Sequence, residues 1–136
     1  MIYSSNKWNQ LLVKLFILLS LGLSTLIAQS FTHELSSKEL SVHISSDKPL
    51  SVGNNTLDLE IFKNKIAIKD VTVRVKVFMP AMPGMPAMKD EREAKSLGKG
   101  KYEVNVQLLM PGTWQLHVFI LPETGKKMRV KGSLNF

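Results

Sequence analysis

Beyond residue 40 the chain alternates apolar and polar residues almost without interruption, the period-two signature of half-buried β-strands. Leu40, Val42 and Ile44 share one face, and Leu57, Leu59 and Ile61 share another. Val71, Val73, Val75, Val77 and Met79 line one side of VTVRVKVFM, with Thr72, Arg74 and Lys76 on the other. Tyr102, Val104, Val106 and Leu108 follow, then Trp114, Leu116, Val118 and Ile120. Met128 with Val130, and Leu134 with Phe136, form two inward pairs at the end, and Gly132 between them predicts a bulge. No segment after residue 31 carries a helical period.

Turn chemistry separates these runs. Gly53-Asn54-Asn55 and Lys63-Asn64-Lys65 flank the second run, and Gly98-Lys99-Gly100 precedes Tyr102. Pro111-Gly112 sits where a type II turn would join two strands. Six or seven short antiparallel strands in about a hundred residues predict an all-β fold, an immunoglobulin-like two-sheet sandwich over residues 31–136. The charged stretch Lys89 to Lys95 reads as a solvated loop.

Residues 1–30 read as a signal peptide. Lys7 and Lys14 supply positive charge, no acid occurs before Glu34, and Leu15 to Ala28 is an apolar run of 14 residues. A spanning helix needs about 20. Ala28-Gln29-Ser30 offers small residues for cleavage before Phe31, and cleavage after Ala28 is a second option. An uncleaved inner-membrane anchor reaching back to Leu11 is the alternative. Either way the domain is expected outside the cytoplasm, in the periplasm or secreted, with no stable membrane span once the signal is removed.

Removal of Lys7 and Lys14 leaves 16 basic and 11 acidic residues, a net charge of +5. The cations look scattered along strands and lack an aromatic platform, so a solvated sheet face is expected and nucleic acid is not. The chain has no cysteine. That excludes disulfides, thiolate metal sites and a thiol nucleophile. There is no G-x-S-x-G elbow, no H-E-x-x-H spacing and no phosphate-cradling glycine loop, so an enzyme is not expected.

Four methionines stand three apart in M-P-A-M-P-G-M-P-A-M: Met79, Met82, Met85 and Met88. Thioether sulfur is a soft, uncharged ligand that suits Cu(I). Prolines between them favour polyproline II, whose three residues per turn would align the sulfurs on one side. Yet that helix rises about 9 Å per turn, too far for two successive thioethers to share one ion. A shared site needs either a fold at Gly84, bringing Met82 and Met85 together, or a ligand from elsewhere. Met110, beside Pro111-Gly112, is the outside candidate. The plainer reading is an apolar loop that plugs one end of the domain. Trp114 on an inward position reads as core, although its ring face is suited to covering a cation.

His43 and His117 fall on polar sides of their strands and read as exposed. His33 differs. If the mature chain begins Phe31-Thr32-His33, its amine, two amides and imidazole form a square-planar Cu(II) set. A start at Gln29 removes that option.

Three blocks occur in order: M-P-x-M-x-x-M (Met79 to Met85), G-x-G-x-Y (Gly98, Gly100, Tyr102) and M-x-G-x-W (Met110, Gly112, Trp114). In these the stretch from about Asn54 to Ile120 resembles the YtkA-like domain family, which is similar in turn to the FixH family. The exported layout and small size look most like the copper-resistance proteins called CrdA. The resemblance implies an immunoglobulin-like fold and envelope copper handling alongside a metal efflux system. It points to the Met loop and Met110 as ligands. A FixH-like, non-metal assembly module is the alternative; such proteins keep a membrane anchor.

Overall fold

Alternating β-branched residues favour a pleated, one-side-buried surface, and the computed structural model, which describes residues 30–136, is built entirely from strands and their connections. The predicted signal peptide, residues 1–30, lies outside the described residues apart from Ser30. In chain order the strands are β1 (Phe31–Ser37), β2 (Leu40–Ser46), β3 (Gly53–Lys63), β4 (Ile66–Ala67) and β5 (Thr72–Met79), then β6 (Met88–Glu93), β7 (Lys95–Gly98), β8 (Lys101–Leu108), β9 (Thr113–Leu121) and β10 (Met128–Asn135).

One sheet has the order β1-β2-β3-β8-β7, with β4 paired to the end of β3; the other has the order β10-β9-β5-β6. All pairings are antiparallel. The orders β2-β3-β8-β7 and β6-β5-β9-β10 match the two sheets of an immunoglobulin domain with one additional strand on the second sheet. β1 is added outside β2. Among the described residues no helix is long and apolar enough to cross a membrane.

The inward residues of both sheets form one core, including Leu57, Leu59 and Ile61 opposite Val73, Val75 and Val77, with Trp114 and Tyr102 its largest buried members. Both large residues also satisfy their polar tips. Trp114 Nε1 donates to the Met110 carbonyl at 3.0 Å, and the Tyr102 hydroxyl donates to the Ile68 carbonyl at 3.1 Å. Burial raises the Tyr102 pKa above its ordinary value, with the Asp70 carboxylate adding to the effect against an opposing backbone hydrogen bond from Val71.

Three expectations are corrected. There are ten strands rather than six or seven, because β1, β4, β6 and β7 are short or lie at edges with few buried positions. Lys89 to Glu93 is not a loop but part of β6, paired with β5 from Met79↔Met88 to Arg74↔Glu93. Gly132 is not a bulge, since β10 pairs with β9 in unbroken register from Met128 to Asn135. Gly132 instead leaves room for a side chain from the other sheet: a Cβ there would collide with Leu35 Cδ2.

Asp90 links the two sheets, from the edge strand β6 to the part of β8 that lies beyond its pairing with β7. Its Oδ2 accepts the Gln107 amide at 2.8 Å and its Oδ1 accepts Arg92 Nε at 2.9 Å. A charged acceptor shared by a backbone amide and a guanidinium makes stronger hydrogen bonds than neutral groups do.

Candidate metal centre

The Met-Pro segment is a hairpin, not an extended polyproline helix. Met82 and Met85 form an antiparallel bridge, with Met82 N donating to Met85 O at 3.0 Å and Met85 N to Met82 O at 2.9 Å. Pro83 and Gly84 occupy the turn. Gly84 takes φ +78°, the left-handed value a type II turn requires at its third residue, while proline suits the second. Proline carries no N–H, so neither Pro80, Pro83 nor Pro86 competes for the ladder. Local turn energetics therefore win over polyproline stiffness.

Pairing continues downward, where Met79 lies opposite Met88. The four methionines form two cross-strand couples arranged symmetrically about Pro83-Gly84. Directly opposed residues in an antiparallel pair project to the same face, with Cβ atoms about 4.5–5.5 Å apart. A thioether on each of two such carbons can reach a common ion, which a polyproline helix does not allow.

The two couples sit in different surroundings. Met82 and Met85 are exposed, at 45% and 38%. Met79 is buried at 5%, and Met88 is half-buried against the core. The exposed couple presents its thioethers to solvent, and the lower couple roots the hairpin in the sandwich.

Met110 lies at the same end. The methyl carbon of Met79 comes within 3.2 Å of where a Gly112 Cβ would stand, and Gly112 N donates to the Phe136 carbonyl at 3.1 Å. Met110 is half-buried against the core, and its carbonyl holds the Trp114 indole. Trp114 itself is fully buried, as a core residue.

The histidines are dispersed. His33 lies within β1, opposite Ile44 and stacked on Phe31 with centroids 6.1 Å apart. Adjacent amides on an edge strand point in opposite directions, so one of the Thr32 and His33 amides faces β2. A square-planar Cu(II) set there would have to release the start of β1. His43 is exposed beside Glu34, with 3.8 Å between Nε2 and Oε1. His117 corrects the reading of an exposed side chain. It is half-buried, with Phe78 and Phe119 edge-on at 5.1 and 6.0 Å. Desolvation lowers its pKa, and Arg129, Lys131 and Lys76 push it the same way. Among the described residues no three His, Asp or Glu side chains are grouped to hold a metal ion.

The cations also depart from the expected scatter. Lys38, Lys63, Lys126, Lys127 and Arg129 line one cleft of about 680 Å³ with Glu39 as its single acid. They come from three segments far apart in sequence, so only the register of the hairpins could reveal the cluster.

A family described as YtkA-like matches residues 34–119, more than half of the chain. No curated protein and no solved structure matches it.

Proposed function

This chain belongs to the YtkA-like family, and from that premise we propose that it binds Cu(I) through its methionine hairpin. The bridge between Met82 and Met85 carries the proposal. It couples two exposed, neutral, soft donors on one face of a short rigid turn, which is what a thioether site for Cu(I) requires and a random apolar loop does not. Met88 and Met110 are the reserve donors at the hairpin base, and Met79 anchors it. A Cu(II) site at His33 is conditional on cleavage before Phe31.

The copper ion is cargo in this reading. The protein sequesters it in the cell envelope or passes it to a metal efflux complex, as the CrdA-like proteins it resembles would. Exposed thioethers at a hairpin tip suit hand-over, because no lid has to open before a second set of soft ligands approaches. Thioethers bind without losing a proton, so affinity changes little between about pH 5 and pH 8.

The test is a competition titration of the full chain with Ag(I) as a redox-inert Cu(I) substitute. Met82→Leu/Met85→Leu keeps apolar bulk and removes both sulfurs. Affinity should fall by at least about 100-fold. Unchanged affinity overturns the thioether site and leaves the hairpin as an apolar contact for a partner protein, the FixH-like alternative.

A further inference from the structure

The sandwich carries opposite chemistry at its two ends. β5 runs from Thr72, paired with Leu121, to Met79, paired with Met88. Its eight residues span about 25 Å. The methionine hairpin lies beyond one end. At the other, the β1–β2 turn, the end of β3 and the β9–β10 connection converge on the cleft holding Lys38, Lys63, Lys126, Lys127 and Arg129. Glu39, 3.9 Å from Lys63, is the one acid among the residues that line it, and Glu123 follows Pro122 in the β9–β10 connection. Lys65 lies in the turn that follows Lys63 at the end of β3. Half-buried Leu40, Pro122 and Met128 line the cleft among the cations.

Ile66, next to Lys65 in the chain and paired with Lys63, is 73% exposed. A β-branched aliphatic so exposed, just past a basic turn, contributes little to the core. It is what a surface gains from when it meets an apolar boundary. Four of the five cleft cations are lysines, mobile point charges that suit a diffuse negative field better than the paired geometry of single carboxylates.

We propose that this pole docks on an anionic phospholipid surface, with the lysines among the headgroups and Ile66 at the acyl boundary. Charge complementarity and the exposed apolar tip together select a lipid bilayer over an acidic protein. Docking in this orientation holds the methionine hairpin on the side facing away from the membrane. It is a peripheral contact made by turns and is independent of any N-terminal segment.

The test is co-sedimentation of the full chain, in one processed form fixed by intact mass, with vesicles. One set holds about 30 mol % phosphatidylglycerol in phosphatidylcholine and the other is phosphatidylcholine alone. The expected result is binding that depends on the anionic lipid and collapses between about 50 mM and about 500 mM salt. Lys63→Gln/Lys126→Gln/Lys127→Gln/Arg129→Gln should weaken it by at least about 50-fold, and Ile66→Ser should weaken it several-fold. Lys48→Gln/Lys89→Gln/Lys95→Gln, away from the cleft, should leave it nearly unchanged. Circular dichroism of each variant confirms that the strands are retained. Equal binding to both vesicle types, equal loss in both charge variants, or capture by soluble polyglutamate without vesicle binding would each overturn the proposal.

Discussion

Met82 and Met85 hold each other by two backbone hydrogen bonds, at 3.0 and 2.9 Å, across Pro83 and Gly84. The pair depends on Gly84 at φ +78°, a conformation that a residue with a Cβ adopts only under strain. Gly84→Val keeps every sulfur and disfavours the turn. Ag(I) affinity should fall about 10-fold while global stability changes by less than about 1 kcal/mol. Retained affinity would show that the thioethers do not need the hairpin.

Gly132→Ala tests the close packing of β10 on β1. Alanine should favour a strand over glycine by about 0.5–1 kcal/mol, but its methyl would collide with Leu35, and overpacking costs about 1–3 kcal/mol. The net expectation is destabilisation by about 1 kcal/mol in urea unfolding. In the Leu35→Ala background the same substitution should be neutral or stabilising, a coupling that a double-mutant cycle measures.

Asp90→Ala removes the acceptor for both the Gln107 amide and the Arg92 guanidinium. A loss of about 1–2 kcal/mol is expected. Hydrogen exchange should accelerate selectively at Gln107, where β8 meets β6 of the other sheet. Uniform acceleration would assign Asp90 no local role.

His117 sets an acid sensitivity. Its pKa in the folded protein is lowered, first by desolvation and then by Arg129, Lys131 and Lys76. The unfolded chain therefore binds a proton more readily than the folded one. The contribution of neutral His117 is complete above the unfolded value of about 6.5 and is lost as pH falls from there through the folded pKa. Denaturant midpoints should decline between about pH 7 and pH 5 in the native chain, and His117→Gln should flatten that decline. A parallel decline in both proteins would place the sensitivity elsewhere.

Strand interiors were readable from the chain because burial writes a period of two into it. Val73, Val75 and Val77, and Leu57, Leu59 and Ile61, all fall where alternation puts them. Edges leave a weaker trace: β6 offers Lys-Asp-Glu-Arg-Glu, which has no apolar stripe and so resembles a solvated loop. The methionine spacing was legible, and its shape was one of two options: an extended helix, or the fold at Gly84 that brings Met82 and Met85 together, which is the one found. Proline content argued for an extended helix, whereas the choice of hairpin rests on one glycine and on the register inherited from β5 and β6. Gly132 misled for a related reason, since a glycine that yields space to Leu35 looks the same in sequence as one that bends a strand. The basic pole could not be found at all without topology, because its members are distant in the chain.

The mirror arrangement of the methionines, Met79 with Met88 and Met82 with Met85, sets a rule for how this segment can grow. Adding one Met-Pro-x unit to both arms preserves every couple and lengthens the ladder by one rung of sulfur. Adding it to a single arm displaces the turn and separates all the partners below it. The hairpin therefore keeps its couples only when it grows in symmetric steps, and single-arm insertions in it are mutations of register first.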